Sequence, residues 1–531
     1  MSRYSKFALK NGGELRLKKP GHLIICAEGG IQVGTGHVMR CLALAQSWKR
    51  AGGDVTFFVR EGLAGIEERI RAEGISLETL PPETPPEDHG LSAEAFVGPV
   101  LRSGSSLAVL DGYSFGAREQ AALSDAGIRV MMVDDYGHAT DYPVQWLLNQ
   151  NAYAMPEMYT RTKVDTRLLL GSAYALLRDE FLPWMGWKRS ITDRARRILI
   201  TVGGSDPDNV SEQILDSFEC LDHKDDHRDL EVVLVVGGGN PHWDALLAAS
   251  QRCPVPVRLV RSVQDMPALM AWADVAIAGA GVTSYELCYM GLPALLLVVA
   301  ENQRLIAERL AQLGIAVNAG KPREFSGEVL ARELQALIES SERRRAMSHR
   351  ARELVDGLGS ERVRAALLDR ELRLRLVRES DCRLLFEWAD DPAARAASFH
   401  SAAILWDEHI RWFSERLQDP ASVLYIGENA AGVPLGLVRF QIKGDDAVLS
   451  VNVAPGFRGE GWGRELIGFS TRSLVRARSV RRINAFVKPD NQASVRLFEA
   501  SGFRRAGKER VANQDALLFS WEFGIGTQHV N

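Results

Sequence analysis

Cysteine is scarce. Six residues (Cys26, Cys41, Cys220, Cys253, Cys288, Cys382) are scattered over 531 positions, with no C-x-x-C pair and no histidine cluster at metal-ligand spacing. That argues against a disulfide scaffold or a structural zinc, and leaves the thiols as small core residues in a reducing cytosol. An excess of either charge is also missing: 64 Lys and Arg meet 68 Asp and Glu for a net charge of -4. Nothing in that balance draws the chain to nucleic acid. Long apolar runs are absent as well. The strongest, Leu292 to Ala300, contains Pro293 and falls far short of the ~20 residues that span a bilayer. Basic residues gather at the start (Arg3, Lys6, Lys10, Arg16, Lys18, Lys19), but no apolar segment follows, as a secretory signal would require. Residues 1–20 therefore read as a solvated tail, and the chain as cytoplasmic, without membrane insertion.

What is present is the make-up of a folded globular protein, 46% hydrophobic and 25% charged, at a length that calls for several domains. From His22 onward, short Val/Ile/Leu-rich runs alternate with helix-period segments, the pattern of a parallel sheet covered by helices. Strands are expected at 22–27, 54–59, 107–111 and 129–134, then at 197–202, 231–236, 257–260, 274–278 and 294–299. The fold class is accordingly α/β, with two doubly wound Rossmann-like halves at 21–190 and 191–340, followed by a helical linker at 341–370 and an α+β domain at 371–525. In that last segment, 435–443 and 447–453 read as a hairpin turning through Gly444-Asp445-Asp446, with helices at 380–389, 407–417, 461–477 and 491–501.

The first strand runs into Glu28-Gly29-Gly30-Ile31-Gln32-Val33-Gly34-Thr35-Gly36-His37, which places His37 in the first turn of a helix. Free amides and the positive end of the dipole favour a neutral imidazole there, a ready general base, although a capping or packing histidine would occupy the same place. Open α/β sheets bind ligands at the carboxyl ends of their strands. Two more such ends carry Asp111-Gly112-Tyr113 and Asp134-Asp135-Tyr136, whose carboxylates suit hydrated loops better than magnesium. No metal is expected. In the second half, Gly203-Gly204-Ser205-Asp206-Pro207 and Gly279-Ala280-Gly281-Val282-Thr283-Ser284-Tyr285-Glu286 each follow a strand and open a helix, which suits backbone contact with a diphosphate. Glu286, one turn inside, can accept ribose hydroxyls, and another strand end delivers Glu301-Asn302-Gln303.

The runs Gly34-Thr35-Gly36-His37-Val38-Met39-Arg40-Cys41, Gly203-Gly204-Ser205-Asp206, Thr283-Ser284-Tyr285-Glu286-Leu287-Cys288 and Asn302-Gln303 resemble the UDP-2,4-diacetamido-2,4,6-trideoxy-beta-L-altropyranose hydrolase family of pseudaminic acid biosynthesis, over about residues 22 to 330. The resemblance implies a glycosyltransferase-B-like fold in which water is the acceptor, releasing UDP and free sugar without a metal. It implies His37 as the catalytic base, with Tyr113, Asn302 and Gln303 facing the sugar. UDP would be held by Gly203, Gly204, Ser205, Gly279, Gly281, Thr283, Ser284 and Glu286, with Gly36 and Arg40 also among the substrate-binding residues. Where the family pattern reads Asp-Asn-Gln, this chain has Glu301-Asn302-Gln303.

Further along, Arg458-Gly459-Glu460-Gly461-Trp462-Gly463 forms an R-x-x-G-x-G turn opening an apolar-periodic helix, small where amides must wrap a diphosphate. With Asn491-Gln492-Ala493-Ser494, Leu497-Phe498-Glu499 and Ser501-Gly502-Phe503, it resembles the GNAT acetyltransferases over about 370 to 523. Acetyl-CoA is the co-substrate this implies, held by Val453, Arg458, Gly459, Gly461, Gly463, Asn491, Ser494 and Phe498. The segments Leu385 to Pro392 and Glu408 to Phe413 look like the sugar-nucleotide branch, including the N-acetyltransferase acting just before the hydrolase in the same pathway. Many GNAT members carry tyrosine where this chain has Phe498, so the acid for the leaving thiolate is missing and no base is assigned. The combined expectation is a bifunctional enzyme of surface-glycan synthesis acting on a UDP-linked amino-deoxy sugar. Two alternatives stay open: a genuine glycosyltransferase with a second sugar or lipid as acceptor, and a non-catalytic nucleotide-sugar sensor beside a degenerate acetyltransferase.

Overall fold

The computed structural model describes residues 20–30, 34–59, 65–79, 93–163, 165–221, 229–261, 263–322, 326–369, 372–429 and 432–522. The expected tail lies outside them but for Pro20. The chain divides into two compact units, Pro20–Glu371 and Leu372–Glu522.

The N-terminal unit holds two all-parallel sheets. In one, β1 (His22–Ala27), β2 (Asp54–Val59), β3 (Ser76–Thr79), β4 (Leu107–Asp111), β5 (Arg129–Val133), β6 (Trp146–Asn149) and β7 (Arg167–Leu170) lie in the order β3-β2-β1-β4-β5-β6-β7. In the other, β8 (Arg197–Thr201), β9 (Glu231–Val236), β10 (Val257–Arg261), β11 (Val275–Gly279), β12 (Ala294–Leu297) and β13 (Ala316–Gly320) lie in the order β10-β9-β8-β11-β12-β13. The continuous apolar run of β1 reflects cover on both faces: Leu23, Ile25 and Ala27 enter one buried cluster, and Ile24 and Cys26 another. Both strand orders reverse beside their first strand, between β1 and β4 and between β8 and β11. Those switch points are where loops diverge and leave a crevice for a ligand.

Residues 341–370, expected as a linker, are instead built into this unit. Helix Ser341–Leu354 packs on helix Thr283–Met290 of the second half, while Val363, Ala366 and Leu367 of helix Gly359–Leu367 join the β1 core of the first half. Gly359 lies so close to the Ala175 carbonyl that a Cβ would stand 2.0 Å from its oxygen, so the returning chain needs glycine there. The apolar positions of this segment are spent on the two halves, which clamps them together.

The C-terminal unit is one mixed sheet of β14 (Arg373–Leu376), β15 (Ser422–Glu428), β16 (Pro434–Lys443), β17 (Asp446–Val453), β18 (Arg482–Val487), β19 (Arg504–Val511) and β20 (Gln514–Glu522), in the order β14-β15-β16-β17-β18-β20-β19. Its single parallel contact joins Asp446–Val448 to Arg482–Asn484, after which β17 and β18 cease to pair. Beyond that point β17 pairs with β16 alone, so its other edge is uncovered by β18, and the Val453 carbonyl accepts from Arg458.

Candidate active sites

The loops at the two switch points of the N-terminal unit line one cleft of about 990 Å³. His37 enters it from the second position of helix Gly36–Arg50 and is 5% exposed. Its Nδ1 lies 2.6 Å from Oδ1 of Asp111, the last residue of β4 and fully buried. Burial alone would raise the Asp111 pKa, but Arg40 and His37 hold it well below the usual carboxylate range. An ionised carboxylate at that distance requires a proton on Nδ1, so the lone pair of the neutral ring is on Nε2, as a general base needs.

Arg40 was expected to touch substrate. It lines the cleft, and its guanidinium is bonded to the protein: Nε donates to Asp111 Oδ2 at 2.7 Å, and Nη1 to Asp135 Oδ1 at 2.7 Å. Cys41 Sγ and Asn151 Nδ2 complete the carboxylate shells at 3.2 and 2.9 Å. Asp135 is held low by Arg40 against the upward push of burial. A carboxylate depressed by folding contributes its stability in full above its unfolded pKa of ~3.9 and loses it as the pH falls below. Asp111→Asn should therefore melt below the unaltered protein at pH 7, and the gap should narrow below about pH 4. A gap independent of pH in melts followed by circular dichroism would contradict this account of the Asp111 carboxylate.

Tyr113 does not line the cleft. Its ring stands edge-on to His37 at 5.1 Å, its hydroxyl donates to Asp135 Oδ2 at 3.1 Å and accepts from Asn302 Nδ2 at 2.8 Å. It thus joins the Asn302 loop of the second half to the carboxylates behind the histidine. Asn302 lines the cleft, and its Oδ1 is buried without a partner among the described residues. Gln303 lines it too, with Oε1 on the Val299 amide at 3.2 Å. Glu301, where the family pattern has aspartate, is a surface residue paired with Arg304 and Lys321.

Gly36, Gly203, Gly204, Ser205, Gly279, Gly281, Thr283 and Glu286 all line the cleft. Ser284 does not: it is 1% exposed, and its side chain belongs to the apolar space with Leu287 and Cys288. Being one residue on from Thr283 turns it to the inner side of the helix. Sequence reasoning missed Gly237-Gly238-Gly239 at the end of β9, which also line the cleft. A Cβ on Gly237 would stand 2.2 Å from the Gly204 carbonyl oxygen, so the two glycine loops interlock. The strand-end glycine rule applied to the first two loops would have found it. Arg178, whose Nη2 donates to Glu286 Oε1 at 2.7 Å, left no local signal, being 108 residues away in sequence.

In the C-terminal unit, Val453 ends β17 where it has parted from β18, and the turn after it holds Gly459 at φ +79° and Gly461 at φ +90°. Both lie in the left-handed region that favours glycine. Gly461 caps helix Trp462–Ala477, whose free amides face the end of the turn. Arg458 braces the turn, donating from Nε to the Val453 carbonyl at 3.0 Å and pairing through Nη1 with Asp391. A Cβ at Gly463 would stand 3.1 Å from the Leu497 side chain, so its smallness serves helix packing. Asn491 caps helix Gln492–Ala500 through the Ser494 amide at 3.1 Å, and Ser494 is half-buried in its first turn. Phe498, expected at acetyl-CoA, is 4% exposed between Phe503 and Phe519, with ring centroids at 5.2 and 5.9 Å. It is a core residue, on the inner face of its helix. No group of three or more His, Cys, Asp or Glu placed to hold a metal occurs among the described residues.

Comparison with known proteins agrees with this division. Residues 371–504 match the GNAT acetyltransferase domain, and 197–362 the glycosyltransferase family 28 C-terminal domain. The spore coat polysaccharide biosynthesis protein SpsG of Bacillus subtilis is 26% identical over 353 residues, 66% of this chain and 98% of that one. Uncharacterized protein MJ1062 of Methanocaldococcus jannaschii is 21% identical over 512 residues, 92% of this chain and 98% of its own. Among solved structures, Acinetobacter baumannii MurG aligns over 66% of this chain and 99% of its own, with 17% identity and a TM-score of 0.47. The chain joins a glycosyltransferase-B-like nucleotide-sugar unit to a GNAT acetyltransferase domain.

Proposed function

We propose that the N-terminal unit hydrolyses a UDP-2,4-diacetamido-2,4,6-trideoxyhexose to UDP and free sugar without a metal, and that the C-terminal unit acetylates the UDP-4-amino-sugar precursor with acetyl-CoA. The observation that carries the first half is the Asp111–His37 pair, with an Nε2 lone pair at the mouth of a cleft lined by glycine loops. His37 Nε2 takes a proton from water as its oxygen bonds to the anomeric carbon, and the electron pair of the breaking C–O bond leaves with the UDP β-phosphate. The amides opening helix Thr283–Met290 stabilise that charge, and Asn302 Oδ1 is available to a sugar N–H or O–H donor. Acetyl-CoA supplies the acetyl group, and Gly459, Gly461 and the free edge of β17 are the groups suited to its diphosphate and pantetheine chain.

Substrate binding by Tyr113 is withdrawn from this reading, since it acts on the groups behind His37, whereas Arg40 lines the cleft with its guanidinium held by Asp111 and Asp135. The glycosyltransferase family 28 match favours a second reading in which a sugar or lipid replaces water. UDP release measured with and without a candidate acceptor separates the two: hydrolysis proceeds at full rate without one.

The two activities are also proposed to be separable. Chains ending at Glu371 and beginning at Leu372 should each fold and respectively release UDP and bind acetyl-CoA, because helix Gly359–Leu367 closes the core of the N-terminal unit. Truncation before Gly359 should cost the N-terminal piece its cooperative melt, and a melt unchanged by that truncation would contradict the packing described.

A further inference from the structure

Glu286 stands at the mouth of helix Thr283–Met290, lines the cleft and is 6% exposed, yet its two oxygens are not equivalent. Arg178, 7% exposed and on the segment between the two sheets, donates to Oε1 from Nη2 at 2.7 Å and from Nε at 3.2 Å. Its Nη1 is 2.7 Å from Glu180 Oε1, and Glu180 in turn is paired with Arg69 of helix Ile66–Ala72. Below the guanidinium lies the Phe181 ring, its centroid 5.6 Å from Cζ. Phe181 is 1% exposed and meets Tyr289 of the Glu286 helix edge-on at 6.1 Å. The arginine is therefore fixed from three sides, and Oε2 of Glu286 takes no bond from any described residue.

We infer that Arg178 is a positioning residue that makes the cleft selective for a nucleotide with ribose hydroxyls, by occupying Oε1 of Glu286 and presenting Oε2 to the ribose. The inference rests on the reading of this cleft as a UDP site and adds the residue that makes its carboxylate usable. Two physical reasons support the assignment. A carboxylate held by two donors on one oxygen keeps a single rotamer, so a hydroxyl meets a fixed acceptor and little side-chain entropy is lost on binding. An unpaired buried carboxylate beside an arriving diphosphate would also repel it, whereas the arginine cancels that charge while the lone pairs of Oε2 stay free. Burial opposes the charge on Arg178, but Glu286 and Glu180 outweigh it and raise its pKa, so the guanidinium stays charged.

The test is calorimetric binding of UDP and of 2′,3′-dideoxy-UDP to the full-length protein and to four variants, Arg178→Gln, Arg178→Lys, Glu286→Gln and the double variant Arg178→Gln with Glu286→Gln. The unaltered protein should prefer UDP at least about tenfold, the scale of a hydrogen bond to a charged group. Arg178→Gln should weaken UDP binding and bring the preference to within about threefold, with turnover at saturating UDP-sugar changed far less than KM. In the Glu286→Gln background the second substitution should add little, because Arg178 acts through that carboxylate. The double variant removes both charges together, so it stays folded where Arg178→Gln alone leaves a buried carboxylate unpaired. Arg178→Lys, keeping the charge without the fork, should recover part of the preference. A preference kept intact in Arg178→Gln, or losses that add in the double variant, would overturn the inference while leaving the UDP site standing. Failure of the unaltered protein to bind UDP at all would overturn the UDP reading, and the inference with it.

Discussion

Replacing His37 with asparagine is expected to lower UDP-sugar turnover at least about a hundredfold while UDP binding stays within about threefold, the signature of a lost proton acceptor. Asparagine can keep a donor toward Asp111 but offers no basic nitrogen to the cleft. The carboxylates and Arg40 behind it stay bonded to one another, so the cleft should keep its shape. Steady-state turnover and calorimetry on one preparation read the two quantities. Turnover within threefold of the unaltered protein would remove His37 from the reaction.

Gly461→Val should abolish acetyl-CoA binding and leave UDP-sugar hydrolysis untouched. At φ +90° a β-branched residue is strained by roughly 1–3 kcal/mol, and relief requires the turn to swing away from the amides that open helix Trp462–Ala477. The new side chain also stands where a diphosphate must approach the backbone. Isothermal titration with acetyl-CoA checks the first claim, and UDP release from an already diacetylated substrate checks the second. A variant that binds acetyl-CoA within threefold of the unaltered protein would show that this turn is not its site.

The fold was largely legible because buried parallel strands such as β1, β4 and β9 spend all but a terminal position on apolar residues, and such runs stand out between their polar ends. The strands that escaped in the N-terminal unit are short: β6 and β7 are apolar but only four residues long, and β3 and β13 lack the apolar mark as well. β3 is a four-residue edge with one half-buried position, and β13 runs through Asn318 into Gly320. Local chemistry also located His37 and the glycine loops, since glycines at a strand-to-helix turn mark where a cleft opens. What the sequence concealed is long-range. That two aspartates hold the Arg40 guanidinium depends on Asp111 and Asp135, far along the chain, and the burial of Phe498 depends on Phe519 of another strand. The helices after 340 misled for a similar reason: an amphipathic stretch shows that it packs, not against what.

The central claim is that water, activated at His37, is the acceptor. The direct measurement is reaction of the purified protein with a UDP-2,4-diacetamido-2,4,6-trideoxyhexose in H₂¹⁸O with chelator and no other acceptor, followed by mass spectrometry of the UDP. The account predicts steady release of UDP carrying no ¹⁸O, because the anomeric C–O bond breaks and the UDP oxygen comes from the substrate. UDP that accumulates only when a sugar or lipid acceptor is added, or that carries ¹⁸O on its β-phosphate, would contradict it.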